Sequence, residues 1–241
     1  MLNLYSLLPG VQQKLWDTLE ISYFARHDAA DIAWHARALV RHVDTQKPIV
    51  RARLSSVGEG LQVLVYAPDR PDLFARICGY FDGAGFNILD AKIHTTAIGY
   101  ALDTFQVISP HVEQNLDVNY RDLIQLVEHQ LTAALASTGP LPEPSRGRLS
   151  RRVRSFPVTP RVLLRPDERA QRWLLSVSAS DRSGLLYAIA RVLARHQLNL
   201  QLAKVTTLGE RVEDTFLIDG ASLQKSREQI EVETELLDAI A

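Results

Sequence analysis

Two short stretches of this sequence carry residue types suited to holding a small charged molecule. They are Asp69-Arg70-Pro71-Asp72-Leu73 and Asp181-Arg182-Ser183-Gly184-Leu185. Each sits where an alternating apolar strand gives way to an amphipathic helix. A turn of this kind presents backbone N–H groups at a helix N-terminus, and those suit a carboxylate or another anion. Asn87 and Asn199 open the strand that follows each helix, and an Asn amide is both donor and acceptor. Accepting carboxylates beside donating groups are what the ammonium and carboxylate of an α-amino acid require. The plainer reading is local: Asp69 and Asp181 cap turns, and Asn87 and Asn199 end them. Recurrence of the same residue types in two diverged copies favours a ligand.

The two stretches belong to an internal repeat. Val65–Thr95 lies over Val177–Thr207 at an offset of 112, without a gap. Ten of those 31 pairs are identical, including Asp69, Arg70, Leu73, Asn87, Ala91, Lys92 and Thr95. Chance at ordinary composition gives about two. Beyond a turn near Ile98-Gly99 the offset slips to 111, and Asp103-Thr104-Phe105 falls on Asp214-Thr215-Phe216. A period this long predicts a compact domain rather than a solenoid unit, each copy about 80–90 residues.

The elements that must position these residues read alike in both copies. Leu61, Val63, Val65 and Ala67 alternate as a half-buried strand does. Leu73, Phe74, Ile77, Tyr80 and Phe81 then recur at helical spacing, as do Leu185, Leu186, Ile189, Val192 and Leu193. Strands follow at Asn87–Thr95 and Asn199–Thr207, then at the segments ending Val107 and Ile218. A second helix closes each copy, with Leu123, Val127 and Leu131 in one and Ile230, Leu237 and Ile240 in the other. A leading hairpin strand, Ile49–Leu54 or Arg161–Leu164, completes ββαββα twice, with an antiparallel sheet and helices on one face. The expected divisions are a helical lead-in at 1–47, domains at 48–137 and 160–241, and a linker at 138–159 rich in Pro and Arg, read as a solvated basic connector.

Composition removes several classes of function. The 241 residues carry 27 Lys and Arg against 28 Asp and Glu, a net charge of −1, which argues against capture of nucleic acid or membrane by bulk charge. The single cysteine, Cys78, permits neither an internal disulfide nor a Cys-based metal site, fits a reducing cytoplasm, and is expected to be packed. No apolar run approaches the roughly 20 residues of a membrane helix, and no signal peptide is seen. Asp31 and His35 stand one helical turn apart, a spacing compatible with a metal, but lack evident further ligands and are expected to make helix-surface or interdomain contacts.

The order Asp-Arg-Pro-x-Leu, apolar helix, x-Asn-Ile-x-x-Ala-Lys resembles the ACT domain, a small-molecule regulatory module. Over nearly the whole chain, Asp69–Arg76, Phe86–Lys92, Ala203-Lys204 and Leu208–Phe216 resemble the tandem ACT region of the bacterial protein-PII uridylyltransferase/uridylyl-removing enzyme family. Tyr23–His27 and Asp31–His35 resemble the helical segment preceding it. The resemblance implies two ferredoxin-like ACT domains of the α+β class that sense an amino acid, glutamine, for an enzyme adding UMP to PII and removing it. It implies effector residues Asp69, Arg70, Pro71, Asp72, Leu73, Asn87 and Ile88 in one copy. The other copy would supply Asp181, Arg182, Ser183, Gly184, Leu185, Asn199 and Leu200.

Asp72 replaces the usual Gly of that pattern, and its carboxylate is expected to repel a ligand carboxylate. The second copy has Ser183 for Pro but keeps Gly184, and is the closer match. The Gly-Ser and Asp-x-Asp motif of the magnesium-dependent nucleotidyltransferase head is absent, as are the spaced His and His-Asp ligands of the phosphohydrolase domain, so neither catalysis nor a cofactor is expected of this chain alone. A sensing module, an active fragment, and an interaction module that grips PII or pairs edge to edge as a homodimer remain the three readings.

Overall fold

The computed structural model describes residues 12–56, 60–109, 119–145, 158–167, 172–208 and 211–241. Two parts of the sequence reading lie outside them: Gly58 and Glu59 of the Gly58-Glu59-Gly60 turn expected between Leu54 and Leu61, and Arg146, Arg148, Arg151, Arg152 and Arg154 of the linker. The lead-in forms three helices, α1 (Gln13–Trp16), α2 (Ile21–Arg26) and α3 (Ala29–Leu39). The first unit follows as β1 (Ile49–Leu54), β2 (Leu61–Pro68), α4 (Leu73–Gly83), β3 (Asn87–Lys92), β4 (Tyr100–Ile108) and α5 (Tyr120–Ala136). The second runs β5 (Arg161–Pro166), β6 (Trp173–Ser180), α6 (Leu185–Arg195), β7 (Asn199–Lys204), a two-residue β8 (Thr207–Leu208), β9 (Arg211–Asp219), a 3₁₀ turn (Ala221–Gln224) and α7 (Ser226–Ile240).

Both sheets are antiparallel, in the orders β1-β2-β4-β3 and β5-β6-β9-β7, with β8 added on β9. The expected ββαββα pattern is therefore present twice. Even an irregularity is duplicated: the register shifts between Ile88 and Asp90 on β3, and between Leu200 and Leu202 on β7. The outer strands are protected alike. Glu128 of α5 accepts a hydrogen bond from the Ala52 backbone N–H at 2.8 Å, and Glu233 of α7 does the same for Leu164 at 2.9 Å. Such bonds occupy edge groups that could otherwise pair with another strand.

Two expectations need correction. The buried stripe of α7 is Val232, Leu236 and Ile240, whereas Ile230 and Leu237 face solvent. The stripe follows i, i+4, i+8 spacing, which turns Ile230 and Leu237 off the core face. The start of the linker is also no free connector. Gly139 accepts from Arg76 at 2.8 Å, the Pro142 carbonyl accepts from the Tyr187 hydroxyl at 2.7 Å, and Glu143 takes both terminal nitrogens of Arg191 at 2.6 and 2.7 Å. Residues 139–143 thus strap α4 to α6.

The units sit side by side, α4 against α6 and edge β3 beside edge β7. One apolar core runs through both, from Val63, Val65, Phe81 and Phe105 to Val177, Ile189 and Phe216. Gly79 of α4 makes the helix contact feasible, because a Cβ there would lie 2.8 Å from the Tyr187 ring.

The lead-in covers the opposite face of the first sheet. Leu64, Tyr66 and Leu102 point away from α4 and α5 and bury against Leu15, Tyr23, Trp34 and Leu39. In the second unit the matching positions are Ser176, Ser178 and Glu213, and among the described residues no lead-in helix packs on that face. Polar contacts fix the docking. Ala97 N–H donates to the Thr18 carbonyl at 2.8 Å, and the Tyr66 hydroxyl to Val43 at 2.7 Å. Asp31 and His35 lie in this interface. Asp31 is 3% exposed and accepts from Arg53 at 2.5 Å and Gln62 at 2.9 Å, with Lys92 at 3.5 Å. His35 bonds the Tyr23 hydroxyl at 2.7 Å and Thr104 at 3.2 Å, and its burial holds its pKa well below the ordinary histidine value. Among the described residues no group of three or more His, Cys, Asp or Glu side chains is arranged to hold a metal ion.

Asp31→Ala removes the shared acceptor and leaves Arg53 partly buried beside Lys92. Urea unfolding should show a loss of about 2–3 kcal/mol, with the lead-in the first region to exchange its amides.

Candidate functional site

The first turn is built by the strand end and the helix start. Asp69 N–H donates to the Gly99 carbonyl at 2.9 Å, which closes the top of the β2–β4 pair, and Leu73 N–H returns to Arg70 at 3.0 Å. This aims the Asp69 carboxylate along the sheet edge, where it accepts from the Thr95 hydroxyl at 3.1 Å. Its other partner comes from the second unit: the Asn199 amide donates to it at 3.3 Å. The sequence grouping of Asp69 with Asn87 and of Asp181 with Asn199 is therefore rearranged. The structure brings Asp69 to Asn199, because the edge packing of β3 against β7 carries the start of β7 to the first unit's turn.

A small cavity lies at this junction, lined by Asp69, Arg70, Pro71, Leu73, Phe74, Ile93, Ala101 and Asp103 from the first unit and by Asn199 and Leu200 from the second. Its volume is about 10 Å³, close to the least that holds one water molecule. Asp103, Thr95 and Ile93 are site residues that the motif reading missed. The signal for the first two was present, since Thr95 with Thr207 and Asp103 with Asp214 are identical pairs of the repeat.

The electrostatics follow from burial. Burial pushes the Asp69 carboxyl above its ordinary pKa, with the Thr95 and Asn199 hydrogen bonds opposing. Asp103, 2% exposed, is raised well above it by burial and then by neighbouring Asp69, against one hydrogen bond from the His94 N–H at 3.3 Å. Two carboxyl groups in so little water favour a shared proton or a cationic partner over two free charges. The second unit repeats the device: Asp214 accepts from the Thr206 N–H at 3.1 Å, and burial raises it to about 7, with Asp181 adding.

Other predicted residues position the turns. Arg70 donates to the Leu135 carbonyl at 2.9 Å, and Arg182 to the Ala239 carbonyl at 2.6 Å. Each arginine thereby satisfies a carbonyl in the last turn of the unit's second helix. Leu73 and Leu185 anchor their helices in the core. The Asp72 carboxylate, expected to repel an anion, is held by Arg70 at 3.0 Å and Arg76 at 2.6 Å, and two guanidiniums offset its charge. Pro71, Asp181 and Ser183 are exposed, and Asn87 and Ile88 are half-buried at the start of β3. Gly184 is left-handed, at φ +78, and a Cβ would lie 2.6 Å from the Ser145 carbonyl, so the linker covers the second turn.

Comparison with known proteins agrees with this architecture. The family model described as "Uridylyltransferase GlnD fifth domain" matches residues 1–38, and the ACT domain model matches residues 173–234. Bifunctional uridylyltransferase/uridylyl-removing enzymes match along the whole chain, at 59% identity in Ralstonia nicotianae and 58% in Burkholderia thailandensis and Burkholderia vietnamiensis. Over its whole length this chain is similar to the C-terminal regions of those enzymes. It spans 28% of their length. Among solved structures, aspartate kinase from Synechocystis is a neighbour at 12% identity and a TM-score of 0.40, covering 76% of this chain and 28% of that one.

Two outcomes test the geometry of the pair. The raised Asp214 is neutral in the fold and more acidic when unfolded, so its contribution to stability is full at low pH and is lost as pH rises through about 7. Asp214→Asn, which mimics the neutral form, should gain melting temperature over wild type progressively as pH rises from 5 to 8. Gly184→Ala should cost about 1–3 kcal/mol in chemical denaturation and should release residues 139–145 to proteolysis.

Proposed function

We propose that this chain is the amino-acid-sensing region of a bifunctional uridylyltransferase/uridylyl-removing enzyme, and that its effector is glutamine. The observation that carries the reading is the composite junction site, where Asp69 and Asp103 of one ACT unit meet Asn199 of the other. The carboxyl pair suits an α-ammonium group. The Asn199 amide and the N-terminus of α4 suit a carboxylate or side-chain amide. By the repeat, the second site combines the Asp181 turn and Asp214 with Asn87 and Ile88. Glutamine, and PII as the protein whose UMP transfer and removal respond to it, come from the family resemblance. Catalysis and its magnesium ions fall to other parts of such an enzyme.

The ligand exchanges for the existing Asp69–Asn199 hydrogen bond, so binding separates β3 from β7 and links the sensor to its own geometry. No described helix is long and apolar enough to cross a membrane, which is compatible with a sensor of a dissolved metabolite.

Calorimetric titration against the common amino acids tests this. Glutamine should give saturable heat and raise the melting temperature, and Asn199→Ala should weaken its affinity at least about tenfold through loss of a hydrogen bond to charge. Absence of heat with every amino acid would sink the reading.

A further inference from the structure

The last residue of α2, Arg26, reaches out of the lead-in to both ACT units at once. Its Nη1 donates to the Ile93 carbonyl of the first unit at 3.0 Å, and its Nη2 to the Ala203 carbonyl of the second at 2.8 Å. These acceptors stand on either side of the junction. Ile93 directly follows β3, and its side chain lines the Asp69–Asn199 cavity. Ala203 lies on β7, four residues beyond Asn199 and three beyond Leu200, which line the same cavity. A guanidinium is a rigid planar fork, so binding two carbonyls fixes their spacing as a flexible ammonium could not. Behind Arg26 the lead-in is locked to the first unit by the Asp31 contacts with Arg53, Gln62 and Lys92 and by the Thr18–Ala97 bond.

The cavity gives this fork a consequence. About 10 Å³ admits a water molecule at most and no amino acid. A ligand seated between Asp69 and Asn199 must move β7 relative to the first unit, and β7 is what Arg26 holds. We propose that Arg26 is a regulatory clamp: it holds the two ACT units at the spacing that closes the effector cavity, and ligand binding breaks that hold and so reaches the lead-in helices. The clamp rests on the amino-acid reading of this cavity. It assigns to Arg26 a positioning role away from the ligand, and it gives the differential contact between closed and open states that allosteric coupling requires.

Arg26→Ala and Arg26→Lys in the 241-residue chain test it through two measurements. Hydrogen exchange without ligand reads the clamp itself. In Arg26→Ala the β7 amides and those just after β3 should exchange at least about threefold faster than in wild type. Calorimetry with glutamine reads the coupling. Since the open form costs less without the clamp, Arg26→Ala should bind about three- to tenfold more tightly, and Arg26→Lys, with one point donor, should fall between. In wild type, glutamine should speed exchange of α2, and in Arg26→Ala it should leave α2 unchanged.

Exchange at the junction unchanged in Arg26→Ala overturns the clamp. Affinity equal to or weaker than wild type overturns its role in gating, and a lysine variant identical to wild type overturns the two-carbonyl fork. If wild type binds no amino acid, the sensing reading fails by itself, and junction exchange alone decides whether Arg26 holds the units together. If Arg26→Ala does not fold, the same two measurements on Arg26→Lys decide.

Discussion

The close approach of α4 to α6 is the contact on which the rest of this molecule depends. A missing side chain at Gly79 lets the Tyr187 ring pack against the helix backbone, and this distance sets the position of one sheet edge beside the other. With the helices a methyl group further apart, β3 and β7 would no longer bring Asn199 to the Asp69 carboxylate. The linker reinforces the contact at the same point, since Tyr187 also donates to Pro142 and Arg191 pairs with Glu143. A shared apolar core supplies the cohesion, and these directional bonds supply the alignment.

Once two similar units are joined this way, their outer faces become inequivalent. The first sheet keeps Leu64, Tyr66 and Leu102 on the face away from its helices because the lead-in buries them. The second has Ser176, Ser178 and Glu213 there. A lead-in able to cover either copy would make the arrangement ambiguous. The polar substitutions remove the apolar payoff from the second face, and of the three partners of the buried Asp31, Arg53 and Lys92 recur as Arg165 and Lys204 while Gln62 becomes Leu174. Repetition explains the fold, and departures from repetition explain where the helical segment sits.

The fold was legible to a large degree, and the reason is specific. An offset of 112 aligns β2 with β6, α4 with α6 and β3 with β7 residue for residue, and an offset of 111 aligns β4 with β9. Each copy thus served as evidence about the other. The site was legible in its parts: Asp69, Leu73 and Asn199 were named from their motif. Their grouping was not, because the packing of α4 on α6 depends on a Gly79 to Tyr187 contact that no local pattern announces. Asp103 was hidden for a different reason. It shares the helix-covered face of β4 with Ala101 and Phe105, a position where the alternation calls for an apolar residue and a carboxyl gives no sign of being buried. Its identity with Asp214 across the repeat was the available sign. For Asp72, charge alone suggested repulsion, and the two arginines that neutralise it became apparent only in three dimensions.

The carboxyl pair also bears on what kind of molecule the junction can hold. Burial raises both Asp69 and Asp103, and Asp103 in particular feels Asp69. An ammonium placed between them would pair with both as carboxylates, whereas a neutral or anionic group in the same place would leave them holding protons. On the proposed sensing role, the ligand brings positive charge to the carboxyls and an acceptor to the amide and helix end, a short distance apart. The molecule that meets both requirements of that role is a zwitterion whose ammonium and carboxylate are joined to one carbon. The same desolvation keeps the cavity closed, since carboxyls already bonded to Thr95, Asn199 and the His94 backbone need no water between them. The closure of this site, and the selectivity that the proposed sensing role asks of it, have a common origin in the burial of two acids at the meeting of two sheets.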